Sequence, residues 1–551
     1  MSNTVMGATP VLVVGAGPTG LTMACELARR GVPVRIVDKR AAIDPYCRAT
    51  TIHSRTLEIF HDLGIVDEIL EQGQRFVAYN EYANGRRLSR RPTGQVDSPY
   101  PFTISLEQFR TEAILAALLG RLGVVVERCA ELVALAEHPD GVAATLRHGD
   151  GREEAVAVPW LVGCDGAHST VRHLIHQSFP GMEDSHRFVQ GDVIVAGPVA
   201  GDEGYAFLCD TGVLYLFPLP QRRTLVAADL PQHHDDAKEP PSVELFQRLM
   251  AERGPAGTSV TDARSMAYFR IHYRLVPHYR HGRRIFLAGD AAHVHSPAGG
   301  LGMNTGIQDA YNLAWKLALV AQGMSPHAVL ESYEAERRAV AKDVITMSRV
   351  MTDRSEAFSH LSQAERECIY VNVVVPEAEA RHLAEHLEAL DLDYRKSPIC
   401  GEHGTLRRLG GGPGPGAEAR DAGPLQLGDR QLTLFELLRG PHHTMLVFPG
   451  ARTGPAGWLR LARLAASIRQ PDGAPINVHL MAHAKEAVPS DLPAATSIVL
   501  DLEGALHRRY DARAECLYLI RPDGYIGYRS APADARHLRQ YLACLFVRAQ
   551  C

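Results

Sequence analysis

The 551-residue sequence is short of cysteine and of long apolar runs. Its 10 cysteines include no C-x-x-C pair, which excludes a disulfide framework and the usual zinc-ligand spacings. No segment reaches the ~18 consecutive apolar residues of a membrane-spanning helix. The start of the chain lacks the basic segment and the small-residue cleavage site of a signal peptide. We therefore expect a cytoplasmic protein with no metal site and no membrane association.

An excess of charge of one sign is absent as well. The 58 Lys and Arg residues nearly balance the 63 Asp and Glu residues, giving a net charge of -5 and a pI of about 6.6. Such a balance predicts no binding to nucleic acid. With 46% hydrophobic residues, 22% charged residues and a mean hydropathy of -0.12, the composition is that of globular proteins. The length exceeds a typical domain of ~150 residues, so we expect more than one hydrophobic core.

A dinucleotide-binding pattern lies near the start of the chain. The apolar run 11–14 leads into the glycine-rich turn 15–20, a helical stretch closes at Gly31, and a second strand ends at Asp38. In this context the glycines permit a tight turn and a close backbone approach to a pyrophosphate, which would face the positive helix end. A glycine-rich turn without a ligand is the alternative. The residues predicted to bind the dinucleotide are Gly15, Gly17, Pro18, Thr19, Gly20, Asp38, Lys39 and Arg40.

Strands dominate the next part of the sequence. Residues 124–158 indicate a meander of antiparallel strands, and a buried strand at 160–164 leads into Asp165-Gly166. Residues 186–284 indicate a separate sheet that covers one wall of a pocket. A further apolar strand leads into Gly289-Asp290, and a glycine-rich turn then begins a core-facing helix.

A Gly/Pro-rich stretch at 409–416 is typical of a linker. The order of strand-like and helix-like segments beyond it predicts a small α/β domain.

Three motifs together resemble the group A flavoprotein monooxygenases, which are single-component FAD-dependent aromatic hydroxylases. They are the glycine triplet, the Cys164-Asp165-Gly166 segment with Arg172, and Gly289-Asp290 followed by the stretch 297–304. The resemblance covers residues 10–340. Segments at 415–421 and 519–525 resemble the thioredoxin-like tail of the phenol and polyketide hydroxylase branch, which normally lacks the redox cysteine pair, as this chain does.

The resemblance implies a mixed α/β fold with three parts. A Rossmann-like FAD-binding domain with a helical extension would take residues 1–80, 105–185 and 285–400. An interleaved substrate-binding sheet domain would take residues 81–104 and 186–284. A thioredoxin-like domain would take residues 405–551.

The resemblance also assigns site residues. Asp290 would hold the ribityl chain of FAD, the backbone of Gly302, Met303 and Asn304 would face the flavin pyrimidine, and the Pro297 carbonyl would touch the substrate. Arg48 would lie near the flavin and the pyridine nucleotide. Arg48 and Pro297 are the predicted catalytic positions. The remaining predicted cofactor ligands are Gln108, Asp165, Gly166, Gly289 and Gly300.

The implied reaction consumes NADPH or NADH to reduce a tightly, non-covalently bound FAD. Dioxygen then forms a flavin hydroperoxide that hydroxylates a phenolic or polycyclic, polyketide-type aromatic substrate. The sequence does not separate NADH from NADPH. Alternation along the strand at 213–219 places Tyr215 and Phe217 on one face, either against the substrate or in ordinary core. Arg223 and His272 are further candidate substrate ligands.

Other interpretations of the same sequence remain open. Relatives with the same cofactors perform Baeyer–Villiger, epoxidising or antibiotic-inactivating oxygenations. A more distant alternative is a flavin-binding interaction protein without oxygenase activity. The histidine pairs 233–234 and 442–443 are interpreted as solvated loops rather than as metal sites. Adjacent histidines point in different directions, and no further ligands lie at a recognised spacing. A homodimer is one expectation for the assembly.

Overall fold

The computed structural model describes residues 10–46, 49–83, 85–230, 240–360, 365, 377–404, 411–468, 476–483, 488–493 and 496–547. The chain forms two compact units. The first unit comprises Met1–Tyr311 and Arg338–Leu390, and the second comprises Asn312–Arg337 and Asp391–Cys551. The division therefore falls inside two helices, α7 (Leu301–Ala321) and α8 (Glu331–His360).

A six-stranded sheet carries the glycine-rich motifs of the first unit. Its strand order is β18-β19-β12-β1-β2-β8, with parallel pairing except for β18. Helices cover both faces of such sheets, and β1 and β12 are accordingly buried along their whole length. The strands are β1 (Val11–Val14), β2 (Val34–Asp38), β8 (Glu127–Arg128), β12 (Trp160–Gly163), β18 (Arg280–His281) and β19 (Ile285–Leu287).

The strand β8 is shorter than the sequence indicates. The apolar run that begins at Val124 predicts a strand, but only Glu127 and Arg128 pair with β2. Val125 is 79% exposed. Val124 and Val126 are half-buried, and the run precedes the edge strand of the sheet.

The first unit also contains two three-stranded sheets. Of the antiparallel meander expected at 124–158, three strands are present, β9 (Ala130–His138), β10 (Gly141–His148) and β11 (Glu153–Val158), whereas the run at 124–127 is wrongly included because β8 pairs parallel with β2. A small antiparallel sheet consists of β3 (Thr51–Ile52), β4 (Gln74–Phe76) and β7 (Thr103–Ser105).

An eight-stranded sheet is the second large element of the first unit. Its order is β20-β17-β13-β16-β15-β14-β5-β6, and its longest strands, β13 and β17, pair antiparallel. One face packs on α6 (Val243–Arg253), where Phe246 and Leu249 are buried. The strands are β5 (Ala78–Ala83), β6 (Arg86–Pro92), β13 (Gly181–Ala196), β14 (Glu203–Cys209), β15 (Gly212–Leu219), β16 (Arg223–Leu230), β17 (Ser259–Leu275) and β20 (His293–Val294).

The remaining helices of the first unit surround these sheets. Helix α1 carries nine buried residues, because it packs both against strands of the parallel sheet and against α4. The helices are α1 (Pro18–Arg29), α2 (Ser54–Leu63), α3 (Val66–Gln72), α4 (Gln108–Arg121), α5 (Thr170–Leu174) and α9 (Glu377–Leu387). Single turns of 3-10 helix lie at Pro220–Arg222, Gly289–Ala291 and Ala298–Gly300.

The second unit is built on another eight-stranded sheet, of order β21-β28-β27-β24-β25-β26-β22-β23. Its centre is a β-α-β unit followed by an antiparallel hairpin and a helix. The strands are β21 (Gly401–Gly404), β22 (Leu425–Leu427), β23 (Arg430–Leu432), β24 (His443–Phe448), β25 (Ile476–His483), β26 (Ile498–Asp501), β27 (Cys516–Ile520) and β28 (Ile526–Ala531). The helices are α10 (Leu434–Leu438), α11 (Pro455–Ile468), α12 (Ala505–Arg509) and α13 (Ala535–Leu545), with a 3-10 turn at His327–Leu330.

The second unit begins before the Gly/Pro-rich stretch that the sequence suggests as a linker. Strand β21 pairs with β28, so residues 401–404 belong to the C-terminal sheet. The N–H of Gly416 donates to Ile526, and its carbonyl accepts from Tyr394, so the described part of that stretch is held in the unit. The mixed α/β class is confirmed, while the three-domain division and the thioredoxin-like character of the tail stay predictions.

Charged side chains are buried in the second unit. Glu336 accepts hydrogen bonds from Lys316, Asn312 and both terminal nitrogens of Arg521, at 2.7 to 2.9 Å. The Trp315 indole donates to Asp523 at 3.0 Å. Two cations and two carboxylates thus neutralise one another away from water, which such groups require when buried.

Candidate functional site

The three motifs that the sequence singles out converge at one edge of the parallel sheet. Strands β19, β12 and β1 are adjacent and parallel, with Val162 paired to both Val13 and Phe286. Their carboxyl ends therefore lie side by side, and the turns 15–20, 165–166 and 289–290 follow directly. Ligands of open α/β sheets bind at this edge.

The glycine triplet is tightly packed at two positions and open at the third. A Cβ on Gly20 would lie 1.9 Å from the Gly15 carbonyl oxygen, and a Cβ on Gly15 would lie 2.4 Å from the Cys164 carbonyl oxygen. At Gly17 the nearest atom, Oε1 of Glu112, is 4.0 Å away. Helix α1 begins there without a side-chain cap. An open turn before an uncapped helix start fits a pyrophosphate group, whose oxygens would accept the first N–H groups.

Asp38 lies behind this turn. Its Oδ2 accepts the Ala16 N–H at 2.8 Å, its Oδ1 accepts the Arg40 N–H at 2.8 Å, and the Arg40 guanidinium is 3.1 Å away. Burial alone would raise the pKa of Asp38, but the hydrogen bonds from Arg40 and Ala16 lower it below its ordinary value. Asp38 is therefore an ionised acceptor beside the turn. Lys39, its neighbour, is exposed.

Gln108 and two residues that the sequence does not single out complete this side of the site. The Gln108 amide donates to Glu112 at 2.8 Å, and Glu112 is 1% exposed. Burial raises the pKa of Glu112. Arg128 lies 3.7 Å from the Asp38 carboxylate. The spacing of four residues between Gln108 and Glu112, which puts them on one helix face, is a signal that could have identified Glu112.

Arg172 joins the second motif to the third. Its guanidinium donates to the carbonyls of Ala167, at 2.8 Å, and Ala291, at 3.0 Å, and stacks 3.9 Å over the Phe179 ring. Asp165 accepts the Val171 N–H at 3.0 Å, and burial raises its pKa. The turns 165–167 and 289–291 are thus held together by one buried cation.

Asp309 of α7 holds the Gly289-Asp290 turn through hydrogen bonds. Oδ2 of Asp309 accepts the Gly289 N–H at 3.1 Å and lies 2.7 Å from Nε2 of His293. Asp309 and His293 are both buried, whereas Asp290 is exposed at the surface of the turn. The contact of Asp290 with the ribityl chain of FAD stays a prediction.

The turn before α7 contains the predicted residues Pro297 and Gly300. The Pro297 carbonyl accepts the Gly300 N–H at 2.9 Å, and Gly299 (φ 82°, ψ -7°) and Gly300 (φ 67°) both have the positive φ that favours glycine. That carbonyl already has one partner within the turn, so its contact with a substrate stays a prediction. A Cβ on Gly302 would have only the His295 ring, at 3.8 Å, within contact distance, which leaves room at the helix start.

The Asn304 side chain bonds to backbone rather than facing a ligand. Its amide donates to the carbonyls of Thr51 and Gly300, at 2.9 and 2.7 Å, and its oxygen accepts the His53 N–H at 3.0 Å. The sequence-based prediction concerns the Asn304 backbone, and it stays open. Arg48, the other predicted catalytic position, lies outside the described residues, as does the histidine pair 233–234.

The predicted substrate strand has two distinct faces. Leu214 and Leu216 of β15 point into the core formed with α6. Tyr215 and Phe217 lie on the other face, with ring centroids 6.4 Å apart, and Phe217 also stacks at 6.4 Å on Tyr79. Tyr79 is a member of this aromatic face that the sequence does not single out.

Helix α8 connects this aromatic face to the turn before α7. Ile345 packs against the cluster that contains Val213 and Tyr215. Seven residues later, about two helical turns, the Thr352 hydroxyl donates to the Ser296 hydroxyl at 2.8 Å. Both contacts belong to the first unit, so the aromatic face and the turn lie on the same side of α8.

Arg223 and His272 do not come together. Arg223 is 4% exposed and donates to Asp192 at 2.6 Å and Asp262 at 2.7 Å. His272 pairs across the sheet with Glu183. Asp192 and Glu183 are nine residues apart on β13, roughly 30 Å along a strand. The two residues therefore cannot contact one small substrate together, and the buried ion pairs account for Arg223.

Histidines in the second unit have structural surroundings. His443 is fully buried at the start of β24, 5.3 Å from the Trp315 ring, so the interpretation of 442–443 as a solvated loop is wrong for His443. His403, Asp534 and His537 each offer a metal-ligand atom within 4.8 Å of one another. Asp534 caps α13 by accepting the His537 N–H at 2.8 Å, and the two imidazoles stack, which accounts for this cluster without a metal.

Among the described residues, no helix is long and apolar enough to cross a membrane.

Comparison with known proteins agrees with this geometry. Residues 8–348 match the family described as FAD binding domain. The chain is 40% identical over 345 residues to a 6-methylpretetramide 4-monooxygenase from Streptomyces rimosus, covering 62% of this chain and 61% of that protein. It is 32% identical over 558 residues to a flavin-dependent monooxygenase from Mycobacteroides abscessus, covering 97% of this chain and 99% of that protein.

A solved structure shares the fold over nearly the whole length. The OxyS anhydrotetracycline hydroxylase from Streptomyces rimosus superposes with a TM-score of 0.75 at 27% identity, covering 98% of this chain and 99% of that one. The resemblance based on the three motifs is confirmed by these relatives, and FAD is the dinucleotide whose binding domain the chain contains. The chain belongs to the FAD-binding-domain family of flavoprotein monooxygenases.

Proposed function

We propose that this protein is an NAD(P)H-consuming, FAD-dependent monooxygenase that hydroxylates a polycyclic phenolic substrate of polyketide type. The proposal is carried by one observation: the turns of the three motifs meet at one edge of the parallel sheet, where the turn 15–20 is open at Gly17. The relatives named for 6-methylpretetramide and anhydrotetracycline support a substrate of that class.

FAD, when bound, supplies hydride acceptance from NAD(P)H and activation of dioxygen. The chain supplies binding and orientation. The first N–H groups of α1 would hold the pyrophosphate, and the exposed Asp290 carboxylate would accept from the ribityl hydroxyls. The N–H groups at the start of α7 would stabilise negative charge on the flavin pyrimidine, because the positive end of the helix dipole lies there.

The aromatic face of the eight-stranded sheet is the proposed substrate wall. Tyr79, Tyr215 and Phe217 offer stacked, half-buried rings against which a planar substrate can lie. Such a wall orients the ring and excludes water from the reacting atoms. The polar groups that orient the substrate hydroxyls are not Arg223 and His272 acting together, because their respective neighbours Asp192 and Glu183 lie nine residues apart on β13.

The test is consumption of NADH or NADPH by the FAD-loaded full-length chain with substrates from simple phenols to four-ring hydroxyquinones. We expect substrate-stimulated consumption and a product that gains one oxygen atom from isotopically labelled dioxygen. A product structure with a ring expansion or an epoxide would assign the Baeyer–Villiger or epoxidising alternative. FAD binding with no stimulation by any member of the panel would contradict the proposal and favour an interaction protein.

A pair of matched variants tests the substrate wall. Phe217→Leu should raise KM for the substrate while the dissociation constant for FAD stays unchanged. Tyr82→Leu is the control, since the Tyr82 ring lies 5.2 Å from the Phe207 ring at a tilt of 31° and packs on the opposite face of the same sheet. Equal effects of the two variants on KM would contradict the assignment of the aromatic face.

The finer assignments remain part of the proposal. The sheet containing residues 81–104 in part and 186–284 would act as the substrate domain, and residues 405–551 would act as a thioredoxin-like domain. A cytoplasmic location and a homodimer complete the proposal, and size-exclusion chromatography with light scattering tests the latter.

A further inference from the structure

A buried histidine and a distant glutamate form an ion pair beneath the turn that precedes α7. Nδ1 of His53 lies 3.4 Å from Oε2 of Glu388, and their side chains are only 6% and 12% exposed. Glu388 also accepts the Ser54 N–H and the Thr103 hydroxyl, each at 2.7 Å. Burial opposes ionisation of Glu388, but His53 and these hydrogen bonds hold its pKa at about 2. The carboxylate is therefore charged, and it raises the pKa of His53 against the effect of burial.

The second ring nitrogen of His53 reaches the turn itself. Nε2 lies 2.8 Å from the carbonyl oxygen of Gly299. Both nitrogens of an imidazolium carry a proton, so a protonated ring donates from Nε2 to Gly299 while its Nδ1 faces the Glu388 carboxylate as an ion pair at 3.4 Å. A hydrogen bond from a charged donor is stronger than one from a neutral donor. The Gly299 carbonyl is thereby fixed at the first of two consecutive left-handed residues, Gly299 and Gly300.

The backbone around His53 contributes a second attachment to the same turn. The His53 N–H donates to the Asn304 side chain, and Asn304 in turn donates to the Gly300 carbonyl. The carbonyls of two consecutive turn residues are thus held from the segment 51–53. Helix α7 begins one residue later, at Leu301.

We propose that His53 is a positioning residue for the flavin: its ring, held by Glu388, fixes the Gly299 carbonyl and so aims the first N–H groups of α7 at the flavin pyrimidine. This inference rests on the proposed placement of FAD at Gly302–Asn304. It assigns to Glu388, from the segment that follows α9, the role of orienting and charging the histidine. Neither residue needs to touch the cofactor.

Three substitutions of His53 separate hydrogen bonding from packing. In His53→Gln the amide nitrogen takes the place of Nε2 and can still donate to Gly299. In His53→Asn it takes the place of Nδ1 and keeps the contact with Glu388 but cannot reach Gly299. In His53→Phe the ring volume is kept and both donors are lost. His61→Gln is the matched control, since His61 lies on α2 and its Nδ1 bonds to the Tyr100 hydroxyl at 2.7 Å, a contact that involves neither Glu388 nor Gly299.

The measurements are the FAD dissociation constant, the absorption spectrum and the reduction potential of the bound flavin in each full-length variant. We expect the Asn and Phe variants to raise the dissociation constant about tenfold or more, as loss of a hydrogen bond to a charged group does. They should also shift the flavin spectrum and lower its potential. The Gln variant should stay within about threefold of wild type, and the His61 control should be unchanged.

Two outcomes would overturn the proposal. If Asn, Phe and Gln all bind FAD as wild type does, the contact with Gly299 does not position the turn. If all three variants lose FAD affinity equally, and the melting temperature of the FAD-free protein also falls in each of them, then His53 serves the packing of the core and does not position the turn. These readouts need no substrate. The comparison of the His53 variants would therefore still test this proposal if the proposed hydroxylation failed.

Discussion

Oδ2 of Asp309 lies 2.7 Å from Nε2 of His293 and accepts the Gly289 N–H at 3.1 Å. One oxygen on α7 therefore fixes both ends of the turn that presents Asp290. Asp309→Ala removes this acceptor and leaves His293 buried without it. We expect a rise of about tenfold or more in the FAD dissociation constant, from the loss of hydrogen bonds worth ~1.5 kcal/mol or more. Titration of the FAD-free protein with FAD, followed by flavin fluorescence, measures it.

The control for Asp309 is the neighbouring Gln308, which is also buried on α7. Gln308→Glu should affect stability but leave the geometry of the turn intact. An Asp309→Ala variant that binds FAD as tightly as wild type would show that the turn holds its shape without the carboxylate.

Two glycines of the first motif should respond differently to alanine. Gly17→Ala adds a methyl group where the nearest protein atom is 4.0 Å away, and its φ of -78° suits any residue. The FAD-free variant should therefore melt at the wild-type temperature and still bind FAD more weakly, because the methyl group enters the ligand space. Gly20→Ala places a methyl group 1.9 Å from the Gly15 carbonyl oxygen and should lower the melting temperature itself. Thermal melts with and without FAD distinguish the two variants. A Gly17→Ala variant with unchanged FAD affinity would contradict the placement of the pyrophosphate at this turn.

The buried charges of the second unit predict a large loss of stability. Glu336→Gln leaves Lys316 and Arg521 facing a neutral amide, so one positive charge in the network is uncompensated. Removal of one partner from such a network costs about 3 to 5 kcal/mol. Urea unfolding followed by tryptophan fluorescence reports it, because Trp315 belongs to this network. Glu331→Gln, an exposed glutamate on the same helix, is the control, and equal effects of the two changes would contradict the interpretation.

The His53–Glu388 pair predicts a specific pH dependence. The pKa of His53 is raised above its ordinary value of 6.5, so its contribution to stability is fully present below pH 6.5 and is lost as the pH rises through the raised value. The pKa of Glu388 is lowered from 4.5 to about 2, so its contribution is present above pH 4.5 and is lost as the pH falls towards 2. Glu388 is the charged group that the described structure places against His53.

Melting temperatures of wild type and His53→Gln between about pH 5 and about pH 9 test this dependence. The advantage of wild type should shrink as the pH rises above 6.5, because glutamine does not titrate. A constant difference across the range would show that the pKa of His53 is the same in the folded and unfolded protein, and an advantage that grows with rising pH would show that the folded protein keeps His53 neutral.

The elements that carry the motifs could be predicted from local patterns. Val11–Val14 and Trp160–Gly163 are apolar runs that end in glycine motifs, and both are buried strands of the parallel sheet. Glu388 could not be found in this way, since it meets Ser54 across 334 residues and follows a helix with no motif. The interpretation of His443 as part of a solvated loop is wrong because the rings of Trp315 and Phe546, both distant in sequence, pack against its imidazole. Long-range packing, which no local periodicity encodes, decides these positions.

The division of α7 and α8 between the two units limits how this protein can be recombined with its relatives. Residues 312–337 belong to the second unit although they lie between two segments of the first. A chimera joined at residue 391 alone would combine the Lys316 and Glu336 of one parent with the Arg521 and Asp523 of the other. A functional exchange of the C-terminal unit therefore has to carry residues 312–337 along with it, as two inserted pieces rather than one appended cassette.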